Sequence, residues 1–129
     1  MRGLALLPLI ALTGCTAFDQ GPMALKGTWG GPHIGVDLEG GLGSVQFDCA
    51  AGSIDQPIIS GGSFSVPGTY REGATGPVRV GQIFTAKRAT YSGTATKTTM
   101  TMSVTLEDGE VLGPFDLALG APPQVTRCL

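Results

Sequence analysis

Charged residues are scarce in this sequence. They make up 14% of the 129 residues, and the net charge is −2. A nucleic-acid-binding domain needs a basic face, which this composition argues against. A disordered chain would carry more charge and fewer apolar residues, yet the hydrophobic content is 42%. The scarcity of charge therefore favours one folded domain with no nucleic acid as partner.

Residue types that carry catalysis and metal binding are also scarce. His33 is the only histidine, so no histidine cluster can bind a metal. A Ser-His-Asp triad could include His33, but no Gly-x-Ser-x-Gly segment presents a nucleophile. Asp37 and Glu39 are two positions apart and so lie on the same face of a strand. We expect them to be solvated charges on its exposed side and not a catalytic pair of carboxylates. The sequence therefore predicts that the protein is not an enzyme and uses no metal or cofactor.

Asparagine is absent, and helix-compatible stretches are rare after the first residues. The chain has 21 glycines and nine prolines, which are costly inside helices. Turns that often use Asn-Gly must here use glycine or Asp-Gly, as in Glu107–Glu110. Other turns are expected at Gly40–Gly43 and at Thr96-Lys97.

Several segments instead alternate apolar and polar residues with a period of two, which indicates strands with one buried face. The predicted inward positions are Ile34, Val36, Leu38, Val45, Phe47, Cys49, Phe64, Val66, Met100, Met102, Val104 and Leu106. A first strand is expected at Gly27-Thr28-Trp29, another at Tyr91–Ala95, and a short last strand after Ala121-Pro122-Pro123. We expect an all-β domain of about eight strands, an antiparallel up-and-down barrel or a sandwich.

The N-terminus has the pattern of an export signal. Arg2 precedes the apolar run 4–12, which is too short to cross a bilayer as a helix. The run ends in Leu12-Thr13-Gly14-Cys15, which resembles the lipobox of bacterial lipoproteins. The resemblance implies cleavage before Cys15 and attachment of lipid, including palmitate, to its thiol. An ordinary secretory signal with a chance cysteine is the alternative.

The resemblance divides the chain into a signal peptide at 1–14, an acylated tether at 15–24 and an all-β domain at 25–129. Roughly ten tether residues at ~3.5 Å each reach at most ~35 Å, which keeps the domain close to the membrane. Thr16 follows Cys15. In lipoproteins of enteric type an aspartate there signals inner-membrane retention, so the resemblance implies an outer-membrane location.

Cysteine parity predicts a disulfide. If Cys15 is acylated, Cys49 and Cys128 remain, and an exported protein can pair them. A loop of that length would stabilise the fold by roughly 4–5 kcal/mol in the chain-entropy treatment. Two buried, unpaired thiols are the alternative.

Two further resemblances concern the domain. Gly27-Thr28-Trp29 resembles the Gly-x-Trp of lipocalins and the start of avidin-type barrels. The lipocalin pattern implies that Arg127 packs over the indole and that a small apolar ligand binds inside. The alternative is that Trp29 only plugs one end of the barrel.

Small periplasmic lysozyme inhibitors offer the other resemblance. They also carry a lipobox and a disulfide on an all-β domain. The segment Val45–Gly52 resembles their cysteine-bearing strand, and Ala89–Gly93 is similar to their inhibitory Ser-Gly segment.

The sequence-based expectation is thus a membrane-anchored, non-catalytic binding or structural module of the cell envelope. Its partner would be an envelope protein or a small apolar ligand. Thr69–Pro77 is expected to form the longest polar loop. Tyr70 and Arg71 in that loop are the candidate contact residues, because tyrosine and arginine are enriched at binding hot spots.

Overall fold

The fold is a closed antiparallel β-barrel. The computed structural model describes residues 23–73 and 86–126. Within these residues the chain forms eight strands and no helix, in the following order. They are β1 (Gly27–Gly31), β2 (Ile34–Glu39), β3 (Leu42–Phe47), β4 (Ala50–Ile54), β5 (Gly62–Glu72), β6 (Lys87–Ala95), β7 (Thr99–Leu106) and β8 (Val111–Leu119).

Each strand pairs with the next along the chain, and β8 returns to pair with β1. The closing contact aligns Trp29 with Leu119 and Gly30 with Ala118. This arrangement confirms the predicted all-β, up-and-down architecture and selects the barrel over the sandwich. Closure removes the exposed edges on which a sheet of this size would otherwise pair with other chains.

The alternation in the sequence places the apolar side chains inside the barrel. Ile34, Val36 and Leu38 are buried on β2, and Asp37 and Glu39 are exposed between and after them. The same pattern holds on β7, where Met100, Met102, Val104 and Leu106 are buried. The predicted inward residues on β2, β3, β5 and β7 are confirmed.

Tyr91 fills the middle of the barrel. Its side chain is fully buried, and its hydroxyl donates a hydrogen bond to the carbonyl oxygen of Thr69 at 2.6 Å. Gly52 and Gly68 face this ring, because a Cβ on either would lie within 3 Å of Tyr91 side-chain atoms. Inward-facing glycines on β4 and β5 therefore make room for one large aromatic side chain.

The barrel has two distinct ends. At one, which we call the N-terminal end, lie Met23–Lys26 and the β2–β3, β4–β5 and β6–β7 connections. At the other, which we call the strapped end, lie the β1–β2, β3–β4 and β7–β8 turns. The C-terminal segment reaches the strapped end after leaving β8 at the N-terminal end.

That C-terminal segment, 121–126, is a strap across the outside of β1 and β2. A Cβ on Gly30 would lie 2.4 Å from the oxygen of Ala121, and a Cβ on Gly35 would lie 2.5 Å from the Cβ of Pro123. Gln124 then forms a single parallel bridge with Pro32. The prediction of a last strand after Ala121-Pro122-Pro123 is therefore wrong for the residues up to Thr126. The two prolines hold this segment outside the sheet.

Two other expectations, on Cys49 and on the loop from Thr69, are corrected by the structure. Cys49 lies in the β3–β4 turn at a φ of 59°, not at an inward strand position. Residues Thr69–Glu72 belong to β5, whose register with β6 is continuous from Gly62 to Tyr70, and are not a loop. Ala24 forms a bridge with Ile59, and the oxygen of Met23 accepts a hydrogen bond from the N–H of Ser60, so both residues contact the β4–β5 connection.

Candidate functional site

The interior of the barrel is packed with side chains. Trp29, Tyr91 and Met102 are fully buried, together with aliphatic residues from nearly every strand. An eight-stranded barrel is just wide enough to be filled in this way. The larger grooves of the described residues lie on the outer surface, for instance along the exposed threonines of β6 and β7. Among these residues the packed side chains leave little room in the interior for a small apolar ligand.

Trp29 closes the barrel towards its N-terminal end. Its indole nitrogen donates to the carbonyl oxygen of Lys26 at 3.2 Å, and the ring has no exposed surface. Trp29 is thus a buried side chain of the barrel core. Arg127, which the lipocalin pattern would place over the indole, lies outside the described residues.

A polar latch, formed by His33, Asp48 and Thr126, holds the strapped end. His33 Nδ1 lies 2.5 Å from Asp48 Oδ2, and the backbone N–H of Thr126 donates to Asp48 Oδ1 at 2.7 Å. The bond from Thr126, more than the contact with His33, lowers the pKa of the Asp48 carboxyl below its ordinary value. One carboxylate thus joins the β1–β2 turn to the C-terminal strap.

The backbone reinforces the latch. The N–H of His33 donates to the oxygen of Gln124 at 2.9 Å, and the N–H of Cys49 donates to the oxygen of Thr126 at 3.0 Å. The N–H of Gly73 donates in turn to the oxygen of Cys49 at 2.7 Å. His33 and Cys49 both have positive φ, of 69° and 59°. The β1–β2 turn and the β3–β4 turn thus each place a backbone N–H against the strap.

The surroundings of the His33–Asp48 pair define what the latch brings together. Among the described residues, the one side-chain hydrogen bond of His33 is with Asp48. No hydroxyl or thiol of these residues is hydrogen-bonded to the imidazole ring. A His-Asp pair needs a nucleophile within hydrogen-bond reach to act as a hydrolytic triad. No group of three or more metal-ligating side chains occurs in the part of the chain that the structure describes.

A second polar group lies on the β7–β8 hairpin. Lys87 Nζ donates to Asp108 Oδ2 at 3.0 Å, which raises the pKa of the lysine. The pKa of Asp108 is lowered, mainly by the hydrogen bond that it accepts from the N–H of Glu110. Glu107 accepts a bond from the N–H of Arg88 at 2.7 Å. These contacts fix the hairpin against the start of β6.

Tyr70 and Arg71, the candidate contact residues, are not together on a loop. Tyr70 is buried on β5, and its ring packs edge-on against Phe47 with centroids 5.2 Å apart. Burial raises the pKa of its hydroxyl. Arg71 points to the exposed side of the same strand. The alternation of β5 thus gives neighbouring residues opposite roles, and any contact of Arg71 with a partner stays a prediction.

The N-terminal end is sealed by a plug from two remote segments. The N–H of Leu25 donates to the oxygen of Ile58 at 2.8 Å, and the N–H of Ser60 donates to the oxygen of Met23 at 3.0 Å. Leu25 and Ile58 are buried across the barrel opening. Their neighbours Met23 and Ile59 face solvent. This arrangement, missed from the sequence, places the incoming chain at the end that carries these exposed apolar side chains.

Comparisons with known proteins gave no match. No family model, curated protein or solved structure is significantly similar to this chain. Within the described residues, no helix is long and apolar enough to cross a membrane. Cys15 and Cys128 lie outside those residues.

Proposed function

We propose that this chain is a lipid-anchored lipoprotein of the bacterial cell envelope whose barrel is a non-catalytic binding or structural module. The observation that carries the second half of the proposal is the packed barrel. An interior filled by Trp29, Tyr91 and Met102 leaves recognition to the outer surface and the turns. A protein partner in the envelope is therefore favoured over a small ligand held inside.

The anchoring half rests on Leu12-Thr13-Gly14-Cys15 and the apolar run before it. Cleavage there leaves the cysteine as the first residue, eight positions before Met23. Two or three acyl chains hold a protein on a membrane stably, whereas a single chain does not. The outer membrane is the proposed address, since Thr16 and not aspartate follows the cysteine.

A Cys49–Cys128 disulfide is part of the proposal. Cys49 is hydrogen-bonded to Thr126, and Cys128 follows Thr126 two positions later in the chain. That stretch spans at most ~7 Å, which keeps the second cysteine close to the first. Once Cys15 carries lipid, these two thiols are the remaining pair.

The lysozyme-inhibitor alternative has less support. Its Ser-Gly resemblance falls on Ala89–Gly93, which lies within β6 and not on a projecting loop. Tyr91 in this segment is fully buried, and Gly93 packs against the backbone of Thr101. The segment therefore offers little that could enter the cleft of another protein.

Metabolic labelling tests the anchor. Cells that express the chain with Cys15→Ala should incorporate no radioactive palmitate into it, and the protein should leave the membrane fraction or stay uncleaved. A Cys49→Ala variant serves as the matched control and should be labelled like the native chain. Labelling of the Cys15→Ala variant at the native level would refute lipid attachment at this residue.

Peptide mapping tests the disulfide. Without reduction, mass spectrometry of the mature protein should recover the peptides that hold Cys49 and Cys128 as one linked species. Separate recovery of both as free thiols, from protein exported to an oxidising compartment, would contradict the pairing.

A further inference from the structure

Large apolar side chains are exposed mainly at one end of the barrel. Five such residues face solvent in the part of the chain that the structure describes, and four belong to the N-terminal end. Their exposed fractions are 50% for Met23, 61% for Leu42, 42% for Ile59 and 44% for Leu119. The fifth, Val111, begins β8 at the strapped end.

The four residues come from separate parts of the chain, and the fold brings them to this end. Met23 and Ile59 lie on the two segments that pair across the barrel opening. Leu42 starts β3 directly after the Gly40-Gly41 turn, and Leu119 ends β8. The interior is already filled at this end by Leu25 and Ile58. The four exposed side chains are therefore not needed to fill the core. Exposed apolar side chains of this kind mark a surface that contacts another protein or a membrane.

The position of the N-terminal segment indicates that the contacted surface is a membrane. Met23 is at the N-terminal end, and the proposed acylated cysteine precedes it by eight residues. Eight residues span at most ~28 Å, so lipid attached there holds this end of the barrel beside the bilayer. The other end of the barrel is separated from the anchor by the length of the strands.

Charge favours the same orientation. Lys26 and Lys97 balance Glu39 and Asp55 at the N-terminal end. Among the described residues of the strapped end the acidic ones outnumber the basic ones, and Glu107, Asp108 and Glu110 follow one another closely on the β7–β8 hairpin. An anionic bilayer surface therefore repels this hairpin and tolerates the N-terminal end.

We propose that the N-terminal end of the barrel rests on the bilayer that holds the anchor. Met23, Leu42, Ile59 and Leu119 enter the boundary between headgroups and acyl chains, and the strapped end faces away. The inference rests on the proposed lipid anchor and adds a defined orientation to it. The hairpin Glu107–Glu110 and the latch are then the parts presented to a partner.

Spin labels at the two ends test this orientation. The lipid-modified mature protein is reconstituted into vesicles of phosphatidylethanolamine and phosphatidylglycerol. Thr98→Cys carries a nitroxide on the exposed β6–β7 turn, and Glu110→Cys carries one on the β7–β8 hairpin. Collisions with a water-soluble nickel complex should fall several-fold for the Thr98→Cys label on adding vesicles, and should stay unchanged for the Glu110→Cys label.

A polar triple variant sharpens the test. Met23→Ser, Leu42→Ser and Ile59→Ser together should restore most of the nickel collisions of the Thr98→Cys label, because the apolar contact is removed. Val111→Ser is the matched control at the opposite end and should change neither label. Melting temperatures establish that the variants are folded, and the two labels in the native background decide the question if the triple variant is not.

The outcomes separate the two proposals. Equal nickel access of both labels, in protein that sediments with vesicles, would overturn the orientation and leave the anchor standing. Protein that carries no lipid and fails to sediment with vesicles would overturn the anchor itself. Protection of the Glu110→Cys label instead would mean that the barrel lies the other way up.

Discussion

The two ends of this barrel are closed by different physical means. At the N-terminal end, Leu25 and Ile58 cover the opening with apolar side chains from segments more than thirty residues apart. At the strapped end, the carboxylate of Asp48 and a set of backbone hydrogen bonds hold the C-terminal segment against two turns. One closure depends on burial, and the other depends on hydrogen bonds formed close to solvent.

This difference sets how each end responds to its surroundings. Apolar burial changes little with pH, because none of the groups that produce it titrates. Hydrogen bonds to an exposed carboxylate weaken when that carboxylate takes up a proton. We therefore expect the plug to carry much of the stability and the hydrogen bonds of the latch to weaken first on acidification, while the proposed Cys49–Cys128 disulfide keeps the strap near the β3–β4 turn.

Truncation of Ile58 in the plug should have the largest effect on the unfolding free energy. Ile58→Ala removes a side chain that is 1% exposed and leaves a cavity between the N-terminal segment and the barrel. Changes of this kind cost about 2–5 kcal/mol of unfolding free energy. Denaturant titration measures the loss, with Ile59→Ala as the matched control, since Ile59 is its exposed neighbour. Equal losses for the two variants would show that Ile58 does not seal the end.

Crowding of the strap should have an intermediate effect. Gly35→Ala places a Cβ 2.5 Å from the Cβ of Pro123, so the strap must move away from β2. Overpacking typically costs about 1–3 kcal/mol. Gly62→Ala, where a Cβ meets nothing within 4 Å, is the control on another strand.

A second substitution checks the cause. Adding Pro123→Gly removes the atom that the new methyl group meets. The double variant should therefore lose less unfolding free energy, relative to Pro123→Gly alone, than Gly35→Ala loses relative to the native protein. Losses of the same size in both backgrounds would assign the damage to β2 itself.

Acidification should weaken the hydrogen bonds to Asp48 in the latch before it unfolds the barrel. The pKa of Asp48 is lower in the folded protein than its ordinary value of 3.8. Its stabilising contribution is therefore present above that ordinary value and is lost as the pH falls through the folded pKa. The amide resonance of Thr126 should shift over this range and keep its position in Asp48→Asn, which no longer titrates. A native-like acid shift in that variant would mean that another group reports on the strap.

The sequence predicted the barrel better than it predicted either closure. Period-two alternation identifies inward residues such as Val36 and Val104, because each strand buries one face independently of where its partner lies. The plug depends on the register between Ala24 and Ile59, which no local pattern encodes. The latch depends on His33 and Cys49 at positive φ, positions that residues other than glycine rarely adopt.

Tyr70 shows the same limit in a single residue. The nearby glycines and charges suggested a loop from Thr69 onward, yet the pairing of β5 with β4 and β6 extends the strand through it. Alternation from Phe64 and Val66 through Gly68 reaches Tyr70 and indicates its inward position. Composition marked the segment as a loop, whereas the register of its neighbours determined that it is a strand.

Removal of the Lys87–Asp108 ion pair should have the smallest effect on the stability of the fold. It also distinguishes this ion pair from the hydrogen bond between the Asp108 carboxylate and the backbone. Lys87 and Asp108 are both substantially exposed, so Lys87→Ala should leave the denaturation midpoint at neutral pH almost unchanged. Asp108→Ala should lower the midpoint more, because Asp108 also accepts the N–H of Glu110 within the hairpin turn. Because the pKa of Lys87 is raised and the pKa of Asp108 is lowered, the contribution of the pair is lost as the pH rises through the first value or falls through the second. Midpoints measured for the two single variants and the double variant check this order. A larger loss for Lys87→Ala than for Asp108→Ala would show that the ion pair, and not the carboxylate bond to the backbone, holds the hairpin.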